Sequence, residues 1–378
     1  MTVIAAPDSF KGNMSAPVAA AAIEKGIKRA DKKAKVFKIP MADGGEGTAK
    51  TLTSAGGGEF VELMVHGPLG KKTKAGFGLI EKGRVAVLDM ASASGIELLK
   101  KSELNPMKTS SYGTGELIKA ALDSGAKELI IGIGGSATND GGLGLIETLG
   151  FKVLDQKGRP VGQGGAALTN VESVDASGAD KRLKDVSIKV ACDVTNPLLG
   201  PRGASAVFGP QKGATPQMVR VLDAGLAKLG RAWINAGLAK DVEQDGDGAA
   251  GGVGAALRIC LGAKLESGAM IVMRYAGFLS RLKDANLVIT GEGVTDGQTA
   301  GGKLCMVVAR ESRREGIPVA LLSGGLGAIE TLHAMFDYAV SISSGQTSLK
   351  GMIRDSQRDL SFAAENLIRA IMIGKNMK

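Results

Sequence analysis

Five short loops in this 378-residue chain pair glycine with acidic or amide side chains. They are Pro7-Asp8-Ser9-Phe10-Lys11-Gly12, Ala42-Asp43-Gly44-Gly45-Glu46-Gly47, Gly134-Gly135-Ser136-Ala137-Thr138-Asn139-Asp140-Gly141-Gly142, Cys192-Asp193-Val194-Thr195-Asn196-Pro197 and Gly291-Glu292-Gly293-Val294-Thr295-Asp296-Gly297. Each follows an apolar run that reads as a buried strand, and open α/β sheets bind ligands outside the carboxyl ends of their strands. Glycine lets backbone approach a ligand closely, and carboxylates suit Mg²⁺ binding or proton transfer. Five such loops point to an enzyme that handles phosphate.

The elements that position these loops follow from periodicity. Val3 to Ala6 reads as a strand, Ser15 as a helix cap with Pro17 in the first turn of a helix to about Arg29, and Val36 to Ile39 as a second strand. This βαβ pattern implies a parallel sheet with a right-handed crossover. From Phe60 to Met90, apolar runs separated by Gly-Pro-Leu-Gly and Lys-Gly-Arg turns predict antiparallel hairpins. Further on, the pattern predicts a helix over 115–124, strands over 129–133 and 188–191, a helix over 216–236 and a glycine-rich break at 246–254. The last hundred residues return to regular α/β, with strands at 287–290, 318–322 and 338–342 and helices at 303–315 and 363–373. The fold class expected is α/β with two domains. A Rossmann- or flavodoxin-like parallel-sheet domain is built from both chain ends, 1–60 and 284–378, with 106–150 assignable to it as well. A mixed α/β domain, 61–283, is inserted.

Composition narrows the class. Hydrophobic content is 44%, charged content 22%, and net charge +9, a Lys-rich surface that also steers anionic substrates. Aromatics at 3% leave few platforms for stacking bases, and no basic stripe is present, which argues against nucleic acid. The three cysteines are dispersed, fitting neither a disulfide framework nor a zinc site. No apolar stretch reaches membrane-spanning length and no signal peptide is apparent, so a soluble cytoplasmic protein is expected, with a homo-oligomer left open. The two histidines, His66 and His333, lie outside the glycine loops, so the general base must be a carboxylate. Gly297 to Lys303 matches a phosphate-loop pattern, but Leu304 stands where Ser or Thr would be needed for Mg²⁺. Gly132 to Ala137 matches a dinucleotide fingerprint only weakly and reads instead as a phosphate-cradling loop, supported by the N-terminus of the helix after it.

Taken together, the loops resemble those of the bacterial type I glycerate kinases. Ile4-Ala5-Ala6-Pro7-Asp8-Ser9-Phe10-Lys11-Gly12 is similar to that family's IAPDSFKG start with one added alanine, and Ala42 to Thr48 to its ADGGEGT segment. The likeness continues through Ser111 to Glu116, Gly132 to Gly142, Ala191 to Leu198, Gly200 to Thr215, Gly291 to Gly293, Asp296 to Thr299 and Gly302-Lys303. Val294-Thr295 replaces the usual Arg-Ile or Arg-Met, which removes a charge, and Leu304-Cys305 replaces a small residue and proline. The resemblance implies Mg²⁺-dependent phosphoryl transfer from ATP to D-glycerate, giving 2-phosphoglycerate in an interdomain cleft. Alternatives are phosphorylation at the 3-position or of another small hydroxy acid, and a non-catalytic anion- or nucleotide-binding protein.

Phosphoryl transfer needs positioning and charge neutralisation, with a carboxylate to accept the hydroxyl proton. Asp193 is the first candidate base, with Asn196 near enough to orient it or the substrate, and Asp8 is the second. Lys11 and Arg202 are candidates to hold a carboxylate or the transferred phosphate, with Ser9, Lys212 and Lys303 as further contacts. Asp43, Glu46, Glu292 and Asp296 are candidate Mg²⁺ ligands, not all of them in direct contact. Gly134, Gly135, Ser136, Asn139 and Asp140 form the candidate phosphate loop.

Overall fold

The computed structural model describes residues 1–10, 13–42, 44–45, 47–295, 304–327, 329–343, 345 and 348–377. Two compact units divide the chain: Met1–Asp43 with Ala269–Lys378, and Gly44–Gly268. The segment 106–150 lies in the second.

The first unit is built on five strands, ordered Tyr338–Ser341, Val319–Ser323, Leu287–Thr290, Thr2–Ala5 and Lys35–Lys38, every neighbouring pair parallel. Counted in chain order within the unit this is 2-1-3-4-5, a doubly wound flavodoxin-like sheet. The order reverses between the strands preceding Asp8 and Glu292, which is where such sheets bind ligands. Leu287–Thr290 and Val319–Ser323 are buried throughout, as parallel strands covered on both faces must be.

One helix face is fixed by small residues. Helix Ala16–Ala30 begins after Ser15 with Pro17 in its first turn and buries Ala19, Ile23 and Ile27 in the core. Its partner, expected over 363–373, runs the much longer span Leu349–Asn376. Ser348 Oγ caps it by accepting from Gly351 N at 3.2 Å, and the apolar stripe Leu360, Ala364, Leu367 and Ile368 reaches the core. The first half, rich in Lys, Arg and Asp, carries too little apolar periodicity to be read as helix; Asn13 anchors it by donating to Ser356 Oγ at 2.7 Å. Where the two helices cross, a Cβ on Gly26 would lie 2.0 Å from Ser361 O.

The second unit holds a six-stranded mixed sheet, ordered Lys264–Glu266, Ser187–Ala191, Glu128–Gly132, Val85–Asp89, Lys72–Ile80 and Glu59–His66. The first four are parallel and the last two form the expected antiparallel hairpin. Its core gathers Leu88, Leu117, Ile131, Leu145, Val190, Leu226, Trp233 and Val253. Helix Pro216–Asn235 starts as read, with Thr215 Oγ1 accepting from Met218 N at 3.3 Å. The expected break at 246–254 is instead a left-handed run, Ala250 to Gly252, that enters a helix ending at Leu261. Close approach explains the glycines: a Cβ on Gly251 would lie 2.2 Å from Thr138 O.

Gly26→Ala tests the helix crossing. In an exposed helix this change stabilises by about 1 kcal/mol. Here the added methyl meets a backbone carbonyl, so a loss of about 1–3 kcal/mol is expected, lowering Tm by roughly 4–10 °C in thermal denaturation. An unchanged or raised Tm would contradict the packing.

Candidate functional site

The parallel strands of the second unit end in register: Asp89 is opposite Gly132, Gly132 opposite Ala191, and Ala191 opposite Glu266. Three of the glycine loops therefore gather on one sheet edge. Gly44 and Gly45 cross that edge, and a Cβ on Gly132 would lie 2.4 Å from Gly44 O, so only glycine permits the crossing. Asp89, buried at the end of its strand, accepts from Gly47 N at 2.9 Å and from Ala49 N at 3.0 Å, capping helix Thr48–Ala55. Sequence reading stopped that strand at Leu88 and missed Asp89, although an acid closing a buried apolar run is the same signal that marked Asp193.

Loop 134–142 is held from several sides. Gly134 and Gly135 are exposed, while Ser136 to Asp140 are buried. Gly135 O accepts from Ile96 N at 2.9 Å, and Ala137 N donates to Ser94 O at 2.9 Å. Asn139 Nδ2 donates to Ser205 Oγ at 3.0 Å. Asp140 accepts from Ser111 N and Ser111 Oγ, both at 2.8 Å, and from Gly142 N at 3.2 Å and Gly144 N at 3.4 Å. Burial pushes the Asp140 carboxyl up, and these four donors oppose the rise. The helix after the loop, Leu143–Thr148, thus has N–H groups of its first turn taken by the chain's own carboxylate. The N–H groups of Gly134, Gly135, Ser136, Thr138, Asn139 and Asp140 meet no acceptor among the described residues, and of these residues Gly134 and Gly135 are exposed, so the Gly134 to Ser136 end of the run is the part that opens to solvent. Consecutive backbone N–H groups of this kind form an anion-binding concavity.

Lys212, read from sequence as a contact to substrate or a surface charge, is 2% exposed. Its Nζ donates to Ser136 Oγ at 2.8 Å and to Thr138 O at 2.6 Å. Asp193 follows its strand into an exposed position, where its Oδ1 accepts from Gly268 N at 3.0 Å. Asn196 is turned to the following turn, donating through Nδ2 to Arg202 O at 2.8 Å, and Arg202 is exposed. Glu147, absent from any motif, has its carboxyl pushed up to about 7 by burial, with the charge of Asp140 adding to the effect. His66 is structural: its Nδ1 lies 2.9 Å from Glu116 Oε1.

In the first unit, Asp8 and Glu292 emerge at the switch point of the sheet. Asp8 N donates to Gly291 O at 2.8 Å, and Asp8 Oδ1 accepts from Ser9 N at 2.6 Å. Thr295 Oγ1 lies 3.0 Å from Glu292 Oε1 and 2.9 Å from Ser323 Oγ. Both carboxylates act on buried Cys305: burial drives its thiol well above the usual range, and Glu292 and then Asp8 push it further. Among the described residues no group of three or more acidic, histidine or cysteine side chains forms a metal cluster. Asp8 and Glu292, which follow neighbouring strands, are of a type that fits Mg²⁺, which takes one or two carboxylates from protein and the rest from phosphate and water. Lys11, Asp43, Glu46, Asp296 and Lys303 lie outside the described residues. No helix among the described residues is long and apolar enough to cross a membrane.

The glycerate kinase family model matches residues 3–372. A Bacillus subtilis (strain 168) protein named glycerate kinase is 44% identical over 100% of this chain and 99% of its own. An Escherichia coli K12 protein named glycerate 2-kinase is 43% identical over 99% of each. A crystal structure of a Salmonella typhimurium LT2 protein matches with a TM-score of 0.91 at 42% identity, covering 100% of this chain and 99% of that one.

Glu147 gives a pH prediction. Folding raises its carboxyl from an ordinary 4.5 to about 7, so between those values the folded state keeps a proton that the unfolded state has lost. Stability from this group is full below 4.5 and is lost as pH rises through 7. Glu147→Gln removes the titration, so the mutant should gain on wild type by roughly 1 kcal/mol between pH 4.5 and 7, after allowance for solvent screening of a half-buried group. Denaturant titrations at pH 4.5, 6 and 7.5 check this; a constant difference would contradict it.

Proposed function

The chain belongs to the glycerate kinase family and is an enzyme that phosphorylates glycerate, and from that premise we propose that it transfers the γ-phosphoryl group of Mg²⁺-bound ATP to the 2-hydroxyl of D-glycerate. The observation that carries the reading is a juxtaposition on the second unit's sheet edge. Strands ending opposite each other, at Gly132 and Ala191, feed a run of open N–H donors, Gly134 to Ser136, and an exposed carboxylate, Asp193. Backbone donors suit phosphate oxygens, and a carboxylate suits the proton of the attacking hydroxyl. The 2-position is supported by the E. coli relative named glycerate 2-kinase.

Asp193 accepts the hydroxyl proton as the oxygen attacks, and the bond from Gly268 N orients its carboxylate. The bond from Asn196 to Arg202 O shapes the turn that presents Arg202, whose guanidinium is suited to glycerate's carboxylate. Asp140 and Asn139 hold the phosphate loop in shape from below. Asp8 and Glu292 would hold Mg²⁺, with Ser9 N fixing Asp8. When bound, the ion supplies charge that offsets the negative charge building on the phosphate oxygens.

The defining experiment is ADP formation by the purified protein with Mg-ATP, with and without D-glycerate, the product being passed directly to enolase. Glycerate-dependent ADP with immediate enolase turnover is expected. Turnover only after adding phosphoglycerate mutase would move the phosphate to the 3-position, and no glycerate-dependent ADP would overturn the reading. Asp193→Asn should lower kcat about 10²- to 10⁴-fold with KM for glycerate and Tm nearly unchanged; full activity would remove Asp193 from the chemistry.

A further inference from the structure

Lys212 is the one lysine or arginine buried among the described residues. An ammonium carries three donors. Two are used by Ser136 Oγ and Thr138 O, and the third meets no acceptor among the described residues. Asp140, the charge acting on it, is itself committed to Ser111, Gly142 and Gly144. In the same loop Thr138 Oγ1 and Asn139 Oδ1 are buried without partners. A neutral amide could satisfy the same two oxygens, and burying a cation with no directly bonded counterion costs far more. What lysine adds is charge, placed beneath the tip whose three N–H groups are open.

We propose that Lys212 is the buried countercharge for the phosphate group that docks on the Gly134–Ser136 tip. It is a positioning residue: it fixes the loop through Ser136 and Thr138 and gains its negative partner when that group arrives. The assignment rests on the kinase reading above and adds the residue that sets nucleotide affinity.

Burial lowers the Lys212 ammonium to about 7, with Asp140 opposing the drop; Glu147, on the helix after the loop, is coupled to Asp140. An arriving phosphate favours the charged form, so binding near pH 8 takes up a proton.

Calorimetric titration of the intact protein with Mg-ADP near pH 8, in buffers of differing ionisation enthalpy, reads that uptake. Roughly 0.5–0.9 proton per site is expected for wild type and close to none for Lys212→Met. In the glycerate-dependent assay, Lys212→Met should raise KM for ATP about 10- to 100-fold with kcat within a few-fold, and Lys212→Arg should recover part of the loss. Ser136→Ala, which removes an anchor and keeps the charge, should retain the proton uptake. Should Lys212→Met fail to fold, wild-type uptake and its persistence in Ser136→Ala decide the matter. Absence of uptake in wild type, or an unchanged KM for ATP in Lys212→Met, overturns the assignment. If wild type forms no glycerate-dependent ADP, it is the kinase reading that falls.

Discussion

The candidate site depends on carboxylates that accept hydrogen bonds from backbone N–H groups at the end of a parallel sheet. Asp89 holds Gly47 and Ala49, and Asp140 holds Ser111, Gly142 and Gly144. Both are buried, so each bond forms away from competing water, where an unmet donor or acceptor would be costly. These two side chains pin segments on either side of loop 134–142. They also take up N–H groups at the starts of the helices Thr48–Ala55 and Leu143–Thr148. Among the described residues of the loop, the N–H groups without an acceptor that lie toward its exposed end are those of Gly134 to Ser136.

Close packing complements that bonding. Gly132 brings the Gly44 crossing onto the sheet edge, and Gly251 presses the left-handed turn against Thr138. Loops fixed at such short range have little freedom to rearrange, so the oxygen and nitrogen atoms presented to a substrate are already placed. Close approach of this kind accounts for part of the glycine content, and a positive φ in open turns such as Gly70 and Gly125 for another part.

Much of this was legible in the sequence because it rests on local patterns. The strand preceding Asp8, the hairpin over 59–80 and the helix starting at Pro216 all appear where apolar period and turn chemistry place them. What escaped depends on long-range contact. Lys212 sits in a Gly-Pro-Gln-Lys-Gly turn that looks like surface, and its burial comes from Ser136 and Thr138, more than seventy positions away. Asp140 reads as a ligand group until Ser111 is seen to claim it. The C-terminal helix was read at less than half its length because its polar first half is held by Asn13 and a Ser cap, not by an apolar stripe.

The most direct measurement is a crystal structure of the protein with Mg-ADP and D-glycerate. The account predicts a phosphate oxygen within hydrogen-bond reach of the Gly134 to Ser136 N–H groups, and a glycerate hydroxyl at the Asp193 carboxylate. Phosphate seated away from that tip, or glycerate with neither hydroxyl near Asp193, would contradict it.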